Sequence, residues 1–129
     1  LREPLGNTII ESGFCKKPVI ASNVDGIAEI IKDGVNGILI NPDKEISFDD
    51  ISKNLVPIPN VVINPETQEL QKPKEIDPLK LCDAIVYLES NLNIRKIYGN
   101  NLNKTVKQNF NIENYYEILE HIYKNFDKN

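Results

Sequence analysis

Two short runs of branched apolar residues, Val19-Ile20-Ala21 and Ile38-Leu39-Ile40, limit most strongly what this chain can fold into. Both are continuous rather than alternating, the pattern of a strand covered on both faces in a parallel sheet. Each follows a stretch of helical character. Asn7 to Phe14 precedes the first, with Gly6, Asn7 and Thr8 supplying a permissive glycine and capping side chains. Ile27 to Lys32 precedes the second, with Ile27, Ile30 and Ile31 on one face. The connections are short and made of turn residues: Lys16-Lys17-Pro18, Ser22 to Gly26, the glycines Gly34 and Gly37, and Asn41-Pro42. Helix, strand, helix and strand joined this tightly predict an α/β architecture.

After Pro42 the character changes. Residues 43–76 are polar and carry Pro57, Pro59 and Pro73. Val61-Val62-Ile63 and Gln68-Glu69-Leu70-Gln71, separated by Asn64-Pro65-Glu66-Thr67, predict a β-hairpin on exposed strands. We expect this segment to be an insertion, dispensable for the fold around it. From Asp77 the chain reads as helical to its end. Asp77-Pro78 is a cap followed by proline at the first helical position. Leu79, Cys82, Ile85, Val86 and Leu88 then take helical spacing up to Asn91. A second helix begins near Asn93, with Ile94, Tyr98, Leu102 and Val106 on one side. Asn111 caps a third, whose stripe is Ile112, Tyr115, Leu119, Ile122 and Phe126. These stripes, aromatic residues included, are expected to pack.

Composition excludes several classes. The 129 residues carry a net charge of −4, which opposes nucleic-acid binding by phosphate neutralisation. No apolar run approaches the roughly 20 residues that span a bilayer. Cys15 and Cys82 are too few and too far apart for a metal site or a disulfide framework, and read as small buried thiols of a cytoplasmic protein. The single histidine, His121, reads as a surface residue. The chain lacks methionine and opens on Leu1-Arg2-Glu3-Pro4, so its start is expected to be a cut through a longer chain.

The segment that carries chemistry is Arg2-Glu3-Pro4-Leu5-Gly6-Asn7-Thr8-Ile9-Ile10-Glu11. A helix opening at Gly6 has first-turn N–H groups without intrahelical partners. With the helix dipole they form an anion site suited to a diphosphate, and glycine lets a phosphate approach the backbone. Glu3 precedes the turn and Glu11 lies about one turn into the helix. Carboxylates repel phosphate, so these two are suited to accept hydrogen bonds from hydroxyls on either side of it. A nucleotide-sugar offers such hydroxyls on its ribose and on its hexose.

Three blocks then resemble one known family. They are Glu3 to Gly13, Lys17 to Ile31 and Asp33 to Pro42, in order and spacing over some 40 residues. They look like the donor-domain signature of the family 4 retaining glycosyltransferases, which runs E-x-x-G-x-x-x-x-E-A, then P-V-V-A-S/T-x-x-G-G-x-x-E-x-I, then D-G-x-x-G-x-L-V-x-P. The tail, including Ile97-Tyr98-Gly99 and Phe110-Asn111-Ile112-Glu113, is similar to that family's closing helices. The resemblance implies a partial Rossmann-like C-terminal domain of a GT-B glycosyltransferase, with 43–76 as an inserted β-hairpin, 77–129 as closing helices and the N-terminal acceptor domain absent. It implies that Glu3 contacts the donor sugar and is the catalytic-site residue. Leu5 and Gly6 would lie against sugar and diphosphate, Asn7 and Thr8 would meet the phosphates, and Glu11 would hold the ribose. It implies no metal and no cofactor beyond the nucleotide-sugar substrate. The parent would transfer a sugar with retention from a nucleotide-diphosphate sugar to a glycan or lipid-linked acceptor, bound by the absent domain. The run from Arg2 to Asn7 resembles enzymes of bacterial surface polysaccharide or lipopolysaccharide synthesis, so the parent is expected in the cytoplasm, at the inner face of the membrane. The chain alone is expected to be inactive. Three departures stand out: Asp25 for the first of two glycines, Ala28 for a common proline, and Ser12 for alanine. Asp25 is expected to narrow the loop beside the sugar. A non-catalytic donor-binding subunit, an epimerase or phosphorylase of the same fold, and an inactive remnant stay open as alternatives.

Overall fold

The computed structural model describes residues 6–46 and 59–126. Helix α1 (Asn7–Phe14) leads into strand β1 (Ile20–Ser22), the single-turn helix α2 (Ile27–Ile30) and strand β2 (Ile38–Ile40). The two strands pair in parallel, Ile20 with Ile38, Ala21 with Leu39 and Ser22 with Ile40. This is the α/β alternation expected, part of a Rossmann-like layer. Helices α3 (Pro78–Ser90), α4 (Leu92–Asn109) and α5 (Ile112–Phe126) follow.

The core lies between α1, α2, the strand pair and α4. Ile9, Ile27, Ile30, Ile31, Leu102 and Val106 are buried together, with Val19, Ala21, Leu39 and Phe110 packed around them. The α4 stripe is therefore a packing face: Tyr98, Leu102 and Val106 are all buried. The strands are less covered than two-sided burial predicts. Among their six residues only Ile40 is buried, and the others are half-buried.

Two buried asparagines stitch the elements together. The Asn36 amide donates to the Ile30 carbonyl (3.0 Å) and the Thr105 hydroxyl (3.2 Å), and its oxygen accepts from the Lys32 N–H (2.7 Å). It thereby closes the turn after α2 and fixes that turn to α4. Asn103 of α4 donates to the carbonyls of Gly13 (2.9 Å) and Phe14 (3.2 Å), tying the end of α1 to α4.

The hairpin forms between the expected runs, but its strands are not wholly exposed, since Val62 is buried. Strand β4 (Val62–Ile63) pairs antiparallel with β5 (Leu70–Gln71), and the Asn64 side chain accepts from the Glu66 N–H in the turn (2.9 Å). The neck of the insertion is closed by β3 (Lys44–Glu45) against β6 (Lys74–Glu75). Asp77 caps α3 by accepting from the Leu79 N–H (2.9 Å), and Asn111 caps α5 by accepting from the Glu113 N–H (3.0 Å).

Several burial expectations are corrected. On α3 the covered residues are Ala84 and Leu88, while Leu79, Cys82, Ile85 and Val86 are exposed. No residue of α5 is buried; Ile112, Tyr115, Ile122 and Phe126 stand exposed, and Leu119 is half-buried. Cys15 and Cys82 are both exposed thiols. His121 is exposed, as expected.

Candidate functional site

In an alternating α/β unit, ligands gather at the carboxyl ends of the strands, where the following loops open. Here that edge carries the loop after β1 and the segment after β2. The two are joined: the Asn23 amide donates to the Asn41 side-chain oxygen (2.7 Å), and the Asn23 N–H donates to the Ile40 carbonyl (2.9 Å). Helix α1 precedes β1 in the chain, joined to it through residues 15–19.

Gly6 begins α1 in the left-handed region, φ 72° and ψ 57°, which a side chain seldom takes. A Cβ there would also stand 2.8 Å from Ile9 Cδ1. No side chain caps the helix. Asn7 and Thr8, read as capping residues, lie instead inside the first turn. Both are exposed, as is Glu11. Glu11 is four residues beyond Asn7 and three beyond Thr8, so all three share a helix face. Ile9 and Gly13 point the other way, into the core. A helix start, two short polar residues and a carboxylate are thus presented together to solvent. Glu3 and Leu5, the remaining expected donor-binding residues, lie outside the described residues.

Asp25 has a structural task in the loop after β1. It holds φ 48° and is 9% exposed. Aspartate and asparagine tolerate this left-handed region better than other non-glycine residues. The Asp25 N–H donates to the Ile63 carbonyl (3.1 Å), and the Ile63 N–H donates to Asp25 Oδ1 (2.9 Å). The residue clamps the hairpin onto the loop after β1. Beside the clamp is a hollow of about 380 Å³, with Glu29 and Lys32 of the α2 side facing Pro65 and Gln68 of the hairpin turn. The sequence signal for this clamp was the aspartate itself, in a position where glycine is usual.

Among the described residues, no group of three histidine, cysteine or acidic side chains could hold a metal ion. Among the same residues, no helix is long and apolar enough to cross a membrane.

Comparison with known proteins places the chain's sequence beside glycosyltransferases. Residues 1–56 match the family described as glycosyl transferases group 1. An uncharacterized glycosyltransferase of Methanocaldococcus jannaschii is 26% identical over 122 residues, covering 92% of this chain and 23% of that protein. A second uncharacterized glycosyltransferase of the same organism is 27% identical over 96 residues, covering 74% of this chain and 25% of its own length. The chain therefore spans about a quarter of the length of the curated relatives it matches. No solved structure matches it significantly. Residues 1–56 are thus similar to a group 1 glycosyl transferase segment, and most of the chain is similar to glycosyltransferases.

Proposed function

We propose that this chain is the donor-binding part of a glycosyltransferase that moves a sugar from a nucleotide-sugar to an acceptor hydroxyl with retention. The observation that carries the reading is the start of α1, where left-handed Gly6 opens a helix with Asn7, Thr8 and Glu11 exposed on one face. The diphosphate would meet the first-turn N–H groups, whose dipole favours negative charge. That charge grows on the leaving phosphate as the sugar departs, so donors fixed at the helix start act most strongly in the transition state. Glu11 would accept hydrogen bonds from the ribose hydroxyls, and Glu3 those of the sugar. No metal or further cofactor enters this reading. The acceptor, a glycan or a lipid-linked sugar, would bind a domain outside this chain, with the parent working in the cytoplasm at a membrane face in polysaccharide synthesis.

Calorimetry on the full-length protein with UDP- and GDP-sugars tests the assignment. Glu11→Ala is expected to weaken donor binding by about 1.5–3 kcal/mol, the value of hydrogen bonds to a charged group. Donor affinity unchanged by the substitution would remove Glu11 from the site.

A further inference from the structure

The cleft between the end of α1 and the start of α4 concentrates positive charge that no acidic side chain in its lining answers. Lys16, Lys17, Pro18, Leu92, Arg95 and Lys96 line a hollow of about 280 Å³. Four of the six are cations and none is acidic, in a chain whose net charge is −4. None of the four forms an ion pair with another described residue. Arg95 Nε is buried and lacks a hydrogen-bond partner among the described residues. A buried charged donor without a partner is costly, and such a group asks for an ion or ligand that completes it. Arg95 also closes the first turn of α4, with Lys96 next to it, and that turn has no acidic residue and no side-chain cap. The positive end of the α4 dipole therefore adds to Arg95 and Lys96, while the negative end of α1 lies beside Lys16 and Lys17.

The arrangement is held by backbone. Lys16 closes α1 at φ 55°, with its N–H donating to the Gly13 carbonyl (3.0 Å) and the Lys17 N–H to the Ser12 carbonyl (2.9 Å). Gly99 of α4 packs directly on this turn: a Cβ on it would lie 2.1 Å from the Lys16 carbonyl oxygen. The spacing between the lysine pair and Arg95 is set by that contact, one helical turn from Arg95.

We infer that this cleft binds the phosphate group of a ligand. Arg95 offers a planar set of donors matched to phosphate oxygens, and Lys16, Lys17 and Lys96 act as point charges around it. The site lies at the opposite end of α1 from Gly6, about 12 Å away for an eight-residue helix, and stands independently of the donor reading. A soluble phosphate ester and a lipid head group present the same chemistry.

Full-length protein labelled with ¹⁵N-arginine, titrated with inorganic pyrophosphate, reads the site directly. The Arg95 Nε–H resonance is expected to shift, and the thermal midpoint to rise with ligand. Arg95→Gln is expected to weaken binding by about tenfold or more, the effect of losing a charge-assisted hydrogen bond. Lys17→Gln, at an exposed position, should weaken it with the fold intact and reduce its sensitivity to salt. Co-sedimentation with phosphatidylglycerol vesicles, against phosphatidylcholine alone, separates the sources. Retention on the anionic vesicles that Lys17→Gln abolishes assigns a lipid head group; pyrophosphate binding without retention assigns a soluble ester. An Arg95 resonance unmoved by pyrophosphate and by vesicles overturns the inference. So does a folded Lys17→Gln protein that binds both as the parent does.

Discussion

Asp25 combines two demands that few residues meet together. Its backbone is left-handed, and its carboxylate accepts the Ile63 N–H. Substitutions separate the two contributions. Asn keeps an acceptor and tolerates the conformation, so Asp25→Asn is expected to stay within about 0.5 kcal/mol of the parent. Gly keeps the backbone and loses the acceptor, so Asp25→Gly should cost about 1 kcal/mol. Ala loses the acceptor and adds left-handed strain, for a total of about 2–3 kcal/mol. Urea denaturation of the three variants gives the order, and a Gly variant as stable as Asn would show that the Ile63 bond contributes nothing. Asn36 is more enclosed still, at 2% exposed, with its hydrogen bonds made to α2, the following turn and α4. The Asp33-Gly34-Val35-Asn36-Gly37 motif was read for its resemblance, and its structural work belongs to this side chain. Asp33 adds to it by accepting from the Leu39 N–H (2.9 Å) at the middle of β2.

The insertion between β2 and α3 is held at both ends of its described part. At its tip, the Asp25–Ile63 pair fixes the hairpin, where Val62 is buried. At its neck, Lys44 faces Glu75 and Glu45 faces Lys74, opposite charges on both rungs, with Lys74 Nζ 3.2 Å from Glu45. Just outside the neck, Lys80 of α3 hydrogen-bonds Asp43 and holds its carboxyl below the ordinary value of 3.8. The folded-state pKa is depressed, so this pair's contribution is complete above the unfolded value and is lost as pH falls through the folded one. The neck is therefore expected to loosen only in acid, below pH 3.8. Amide exchange at Lys44, Glu45 and Lys74 checks this: protection should fall earlier on acidification in the parent than the global unfolding transition does. In Asp43→Asn that acid-linked step should be absent. Being an exposed pair, it contributes modestly even where fully formed.

Across the whole molecule, packing is uneven. The unit formed by α1, α2, the strand pair and α4 encloses the core, whereas α5 presents Ile112, Tyr116, Tyr123 and Phe126 to solvent, each at least 66% exposed. Its cap is formed and its stripe has the right spacing, but no described element covers that face. Removing residues 111–129 while keeping Phe110, which packs on the core, is expected to change the stability of the unit by no more than about 0.5 kcal/mol. Binding of a hydrophobic dye should fall at the same time. A loss of several kcal/mol would show that α5 supports the core.

Features that act over a few residues were legible in the chain itself. The cap at Asp77, the turn at Asn64, the strand runs and the glycine at Gly6 each depend on local backbone preference or a hydrogen bond to a near neighbour, and each formed where expected. The polar face of α1 was legible for the same reason, since helical spacing alone puts Asn7, Thr8 and Glu11 together. Burial depends on what else arrives at a surface, and periodicity marks a face without naming its partner. Hence the α4 stripe is covered, while most of the α3 and α5 stripes and both cysteines stand exposed. The remaining arrangements bring together residues far apart in sequence: Asp25 bonds Ile63, Asn36 bonds Thr105, Gly99 packs on the Lys16 turn, and the lysine pair lines one hollow with Arg95. Only the folded arrangement of α1, α2, the hairpin and α4 could set those distances, because no local preference links positions separated by tens of residues.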